Sequence, residues 1–223
     1  TLVLRKDVGE IDMPTLIDID VRVDMTPGAW RVYNEVKLEE NSYAPMRTIA
    51  SGFRYDRHWS GEVNPEWIHS AKLDALAEIR ESTPGEPLLV FTSFVGEADM
   101  IAKRFGAVVI DGRTSGAATG QILESWDAGK IPMLVANSQS LGHGVNMQRG
   151  GHRIVWYSLP ESGEIYTQAI GRLFRSGQQQ GTVFNHRIIS SKTIDEATVK
   201  LIEAKCLNEQ NLLAEIKKAR QTK

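Results

Sequence analysis

An α/β fold, with a mainly parallel sheet and helices on both of its faces, is what this 223-residue sequence predicts. The first observation is a run of short strand-like segments, the first three wholly apolar: Leu88-Leu-Val-Phe91, Ala107-Val-Val-Ile110, Met133-Leu-Val-Ala136, Arg153-Ile-Val-Trp-Tyr157 and Thr182–Ile189. Strands covered on both faces read as continuous apolar runs of this kind, whereas half-exposed strands alternate. The second observation is what lies between the first three runs. Stretches over about Glu97–Phe105 and Thr119–Asp127 carry helical patterning, and parallel strands need such crossovers. Right-handed crossovers then build an open layer whose ligand sites lie beyond the carboxyl ends of the strands.

The flanking segments follow from local rules. Residues 13–24 alternate apolar and acidic side chains, the period of a half-exposed strand. Thr26-Pro27 reads as an N-cap followed by proline at the first helical position, opening a helix through Trp30 and Tyr33. Residues 40–64 mix Gly, Pro and Ser with aromatics and read as short helices and loops. Pro65 to about Ser82 reads as one amphipathic helix carrying Trp67, Ile68, Leu73, Leu76 and Ile79, ended by Thr83-Pro-Gly85. Thr193-Ile-Asp-Glu196 has the form of a capping box opening a long charged helix to about Arg220.

Composition bounds the function. Apolar and charged fractions are those of a soluble globular protein, and no apolar run approaches the roughly 20 residues of a membrane span. The single cysteine, Cys206, excludes an internal disulfide and a multi-cysteine metal site. It fits a reducing, cytosolic or nuclear setting rather than secretion. The chain starts at Thr1 without an initiator Met, which reads as a piece of a longer protein. The net charge of −2 argues against a generally basic nucleic-acid glue. The charge is uneven, however: residues 1–40 hold nine acids against five bases, and residues 142–187 five arginines against two glutamates.

Those arginines include the most informative segment, Tyr166-Thr-Gln-Ala-Ile-Gly-Arg172-Leu-Phe-Arg175-Ser-Gly-Gln178. On a helix capped by Ser162 and stopped at Gly177, Gln168, Arg172 and Arg175 would share one face while Tyr166, Ala169, Ile170, Leu173 and Phe174 packed on the other. Arginine presents a rigid, permanently charged fork suited to phosphate oxygens. The bland alternative is a solvated charged face. No carboxylate lies within a turn of either arginine to pair with it, which favours the phosphate reading.

Three tracts fall at predicted carboxyl ends of strands: Thr92-Ser93-Phe94, Asp111-Gly112-Arg113-Thr114, and Asn137-Ser138 running on to Gly142-His143-Gly144-Val-Asn146. Gly142 and Gly144 would let backbone approach a phosphate or sugar, and Ser138 and Asn146 would add side-chain hydrogen bonds. Thr92, Ser93 and Arg113 supply the hydroxyls and guanidinium that contacts to a nucleic-acid backbone require. Each tract taken singly is equally ordinary turn chemistry, and His143 alone is an incidental loop residue or a phosphate contact. Asp195-Glu196 lies in a capping context and reads as structural. No Gly-x-x-x-x-Gly-Lys-Ser/Thr occurs, so the chain lacks its own cradle for ATP phosphates, and no metal site is predicted.

At this point the residues resemble a family. Ser138 with Gly142-x-Gly144-Val-Asn146, then Gln168-Ala-x-Gly171-Arg172-x-x-Arg175-x-Gly177-Gln178, is similar to motifs V and VI of superfamily-two helicases. The terminal Gly-Gln resembles the Swi/Snf-type translocase branch. Phe91-Thr-Ser-Phe94 resembles motif IV, and Asp111-Gly112 the short motif after it. Trp126 stands where the family usually has phenylalanine, and Ala117-Ala-Thr-Gly120 where it usually has an arginine. The resemblance implies a RecA-like parallel sheet with helices on both faces, plus an N-terminal interlobe segment and a long C-terminal helix. It divides the chain into an interlobe linker over 1–64, the second RecA-like lobe (the helicase C-terminal domain) over 65–192, and a brace helix over 193–223.

It also implies half of a motor driven by ATP and Mg2+, both held mainly by an N-terminal RecA-like lobe of the same parent chain. Arg172 and Arg175 match the arginine fingers, with Gln168, Gly144 and Asn146 on the nucleotide side. Thr92, Ser93, Arg113, Ser138, Gly142 and His143 would face the backbone of double-stranded DNA. The resemblance implies a monomeric, non-membrane fragment that hydrolyses ATP negligibly by itself. Two alternatives stay open: a lobe of a strand-separating DNA or RNA helicase, and a non-catalytic RecA-like binding module.

Overall fold

A computed structural model describes residues 13–57, 63–141 and 145–206. The elements run β1 (Thr15–Val23), α1 (Pro27–Val36), α2 (Tyr43–Ser51), β2 (Phe53–Arg57), β3 (Val63–Trp67), α3 (Ala71–Ser82), β4 (Leu88–Thr92), α4 (Val95–Phe105), β5 (Val108–Ile110), α5 (Gly116–Asp127), β6 (Met133–Asn137), β7 (Arg153–Trp156), α6 (Gly163–Ile170) and β8 (Thr182–Ser190). A final helix, α7, occupies 194–206.

Six strands form one parallel sheet in the order β1-β8-β7-β4-β6-β5. Alternate residues of β4 enter opposite cores, as the two-residue period of a strand requires. Leu89 and Phe91 pack with Leu134, Ile154 and Trp156 beneath α5, α6 and α7; Leu88 and Val90 pack with Met133, Val135 and Val155 beneath α3 and α4. Burial of β4 on both faces accounts for its apolar run Leu88–Phe91.

The predicted strand 13–24 is β1, and it belongs to the sheet. It pairs with β8 along nine residues, from Thr15–Thr182 to Val23–Ser190. It is an edge strand of the described sheet, and Ile17, Asp18, Asp20 and Arg22 along it are exposed. Thr26 caps α1 as expected, its hydroxyl accepting from the Ala29 N–H at 3.3 Å. Helices α1 and α2 enclose a small third core of Met25, Ala29, Tyr33, Ile49 and Ala50.

Two expectations fail here. The helix expected from Pro65 begins at Ala71, because residues 63–67 pair antiparallel with β2 and close a hairpin. The hairpin is seated by aromatic contacts, Phe53 lying 5.1 Å from both Tyr55 and Trp67 and 6.2 Å from Phe94 between ring centres. At residues 193–196 the reciprocal capping box does not form. Thr193 Oγ1 accepts from Asp195 N at 3.2 Å, while the Glu196 carboxylate takes Arg22 at 2.9 Å. Asp195 instead forms a buried ion pair with Lys72 at 2.6 Å and accepts from Ser190 N, consistent with a structural role. The brace helix beyond 206 lies outside the described residues.

Candidate nucleotide and nucleic-acid site

The chain order reverses at β4: β5 and β6 build one side of the sheet, and β7 and β8 the other. Such switch points open a crevice at the carboxyl ends of the strands. A cleft of about 420 Å³ lies there, lined by Ser93 and Phe94 after β4, Asn137, Ser138 and Gln139 at the end of β6, and Glu161 and Ser162 before α6. Of the residues expected to meet a nucleic-acid backbone, Ser93 and Ser138 line this cleft.

Thr92 does not. Its side chain is fully buried, with Oγ1 unpartnered, because it closes β4 facing the interior. Arg113 is also diverted. Its guanidinium donates to Asp111 and to Asp99, both at 2.6 Å, and these carboxylates, Asp99 foremost, raise its pKa. A guanidinium so paired has little left for a phosphate. The amides at the start of α4 are likewise committed: buried Glu97 accepts from Ser93 N at 2.9 Å and Phe94 N at 3.1 Å. Gly142, His143 and Gly144 lie outside the described residues.

The arginine segment differs from its expected form. Ser162 caps α6, accepting from Ile165 N at 3.4 Å, but the helix ends at Ile170 rather than running to Gly177. Beyond it the chain tightens into turns, with Arg172 N on Ala169 O and Leu173 N on Ile170 O, both at 3.1 Å. The Arg172 carbonyl leaves the helix ladder to accept from Met147 N at 3.2 Å. A bond from the neighbouring loop thus competes with helix continuation. Gln168, Arg172 and Arg175 consequently do not share a helical face. Gln168 is exposed on α6 and donates to Glu164 at 2.9 Å.

The two guanidiniums converge on the loop after β6. Arg172 is 8% exposed and donates to the Val145 carbonyl at 3.1 Å and, weakly, to that of Leu141 at 3.5 Å. Arg175 donates to the Asn146 side chain, which is exposed. Among the described residues neither arginine forms an ion pair. Burial pushes the Arg172 pKa down, and the Arg175 charge pushes it the same way. Two adjacent cations bound to carbonyl and amide oxygens form a local excess of positive charge that an arriving anion would relieve.

Sequence reasoning missed Arg47, whose guanidinium reaches the cleft from α2. Its neighbours in the sequence carry no phosphate-binding pattern. Trp126 gave a clearer signal: its Nε1 donates to the Met147 carbonyl at 2.9 Å, anchoring the loop that holds Asn146.

Comparisons with known proteins bear on the domain and on the fold. Residues 71–177 match the helicase conserved C-terminal domain. The sequence is 33% identical over 177 residues to putative protein p41 of Acyrthosiphon pisum secondary endosymbiont phage 1, covering 76% of this chain and 36% of that protein. The chain thus spans about a third of that relative's length. In fold it resembles the C-terminal part of the Fun30 ATPase domain, with a TM-score of 0.71 at 15% identity over 85% of this chain and 90% of that one. It also resembles the Sulfolobus solfataricus SWI2/SNF2 ATPase core in complex with dsDNA, with a TM-score of 0.60 at 18% identity over 85% of this chain and 44% of that one. The family match and the RecA-like α/β fold together support a C-terminal helicase lobe.

Proposed function

We propose that this chain is the C-terminal lobe of a double-stranded-DNA-dependent ATPase of the Swi/Snf class, which moves along the duplex without separating its strands. The observation that carries the reading is the pair of guanidiniums, Arg172 and Arg175, gathered on Leu141, Val145 and Asn146 with no carboxylate partner among the described residues. Arg175 and Asn146 are the members a nucleotide on a second lobe would meet first, since Arg172 is the more buried. In this reading ATP and Mg2+ belong to an N-terminal lobe, and ATP hydrolysis there supplies the energy for movement. Arg175 meets the developing phosphate charge, and Arg172 holds the loop in place and adds its field. Gln168 remains a candidate contact at the exposed surface of α6.

Ser93 and Ser138, on the walls of the strand-end cleft, would face the DNA backbone. Such contacts read no sequence and weaken with salt. A DNA-bound SWI2/SNF2 core of like fold supports the choice of duplex DNA.

The test is Arg175→Ala and Arg172→Ala in the intact parent protein. An arginine finger is worth about 10³–10⁵ in rate, so DNA-stimulated hydrolysis should fall by that order in Arg175→Ala. Unchanged hydrolysis in both variants would leave a binding module. Strand separation by the wild-type protein in an unwinding assay would instead favour a helicase lobe.

A further inference from the structure

We propose that Arg47 is a positioning residue that ties the wall of the strand-end cleft to the start of α6. The functional consequence rests on the reading of that cleft as a DNA-backbone site. Arg47 lies on α2, upstream of the residues that match the helicase domain. It is 7% exposed, and it spends its donors on separate parts of the fold. Nη1 donates to Glu161 Oε1 at 2.5 Å; Nη2 donates to the Leu159 carbonyl at 2.6 Å and to Ser93 Oγ at 3.0 Å. Its guanidinium carbon lies 5.1 Å from the Phe94 ring centre and 5.7 Å from that of Tyr43.

These partners come from two junctions of the fold, both of which contribute residues to the cleft lining. Ser93 and Phe94 follow β4; Leu159 and Glu161 lead into Ser162, the N-cap of α6. The Ser93 hydroxyl accepts from Arg47 and donates to the Leu159 carbonyl at 3.2 Å, so Arg47 helps set its orientation. The Glu161 carbonyl also faces Lys205 Nζ of α7 at 3.4 Å. One side chain therefore connects α2, the β4–α4 junction and the β7–α6 junction. It does so through a planar fork, which a lysine's single ammonium cannot reproduce. A backbone phosphate that took the Ser93 O–H from the Leu159 carbonyl would be felt at the head of α6 through this guanidinium, and α6 leads directly into Arg172 and Arg175.

Hydrogen exchange on this chain reads the positioning itself. Arg47→Ala should raise exchange of the amides over 158–166 by about tenfold or more, while those of β6 stay at wild-type protection. Arg47→Lys should recover only part of the protection. Glu161→Gln, at a side chain more than half exposed, should shift the same amides less and in the same direction.

In the intact parent protein, Arg47→Lys should raise the half-saturating DNA concentration by about tenfold while KM for ATP moves less than about twofold. A merely structural defect would lower kcat through the active fraction and move neither constant. Wild-type exchange in a folded Arg47→Ala, or an Arg47→Lys protein matching wild type in both measurements, overturns the proposal. If Arg47→Ala does not fold, wild-type exchange in both Arg47→Lys and Glu161→Gln overturns it instead. Absence of DNA-stimulated hydrolysis in the wild-type parent would remove the functional reading, and the exchange result would still decide the positioning.

Discussion

Buried charge is handled differently by different residues of this lobe. Lys72 is 1% exposed, yet it is held by the Asp195 carboxylate at 2.6 Å and the Tyr157 carbonyl at 3.0 Å. Removing one member of such a pair strands the other in a medium that cannot solvate it. Lys72→Met should therefore cost about 3–5 kcal/mol in urea unfolding, and adding Asp195→Asn should recover part of that loss. His186 meets burial without a counter-charge. Its Nε2 lies 3.4 Å from Arg153 Nη1, and its Nδ1 is buried without a partner. Desolvation first, and then the Arg153 charge, push its pKa down to about 4 from the ordinary 6.5. The unfolded chain then binds the extra proton between those values, so this contribution is complete above pH 6.5 and is lost as pH falls toward 4. The loss should reach about 3 kcal/mol at most. Urea midpoints measured between pH 7 and 4.5 should fall, and His186→Gln should flatten that dependence.

Elements in this chain end where tertiary partners intervene. α6 stops at Ile170 because the 145–147 loop takes the Arg172 carbonyl, and that loop is itself anchored by Trp126 of α5. Trp126 packs so closely on the chain after the loop that a Cβ at Gly150 would lie 2.3 Å from the indole. Trp126→Phe keeps the ring but leaves the buried Met147 carbonyl without its donor. It should cost about 1–3 kcal/mol in chemical denaturation, with faster exchange of the Met147 and Arg172 amides. The five expected strands were legible from sequence to within a residue or two because burial on both faces makes Leu88–Phe91, Val108–Ile110 and Met133–Ala136 wholly apolar, while β8 keeps apolar positions around Asn185, His186 and Arg187. The β2–β3 hairpin was not. Its pattern in 65–67 runs into the α3 helix, and the tilted and edge-to-face packing of Phe53 with Trp67 and Phe94 that favours a strand is non-local.

Across the whole molecule, the N-terminal segment is built into the lobe. β1 completes the sheet at β8, with Asp18 accepting from Asn185 at 2.6 Å and Asp20 from Arg187 at 2.6 Å. Asn185 also donates to the Tyr166 hydroxyl of α6 at 2.8 Å and accepts from Trp156 Nε1 at 2.8 Å, so the edge strand is wired to the arginine segment through the core. From the other side, Tyr157 Oη and Ser190 Oγ donate to the Ser51 and Ala50 carbonyls at the end of α2. Deleting residues 1–24 would uncover the backbone edge of β8 and leave Arg187 with Glu203 alone. Such a truncation should aggregate on size-exclusion chromatography at concentrations where the full chain does not.

Local chemistry was sufficient for the parallel α/β architecture and the caps at Thr26 and Ser162, because strand burial and capping are written in adjacent residues. Folding decided which polar groups remain available. Asp99 and Asp111 claim Arg113, the strand interior claims Thr92, Glu97 claims the amides beside Ser93, and Arg47 arrives from a helix 46 residues earlier in the chain. Hydrogen bonds and ion pairs depend on distances of about 3 Å between residues far apart in sequence, and such distances exist only once the sheet has brought its strand ends together.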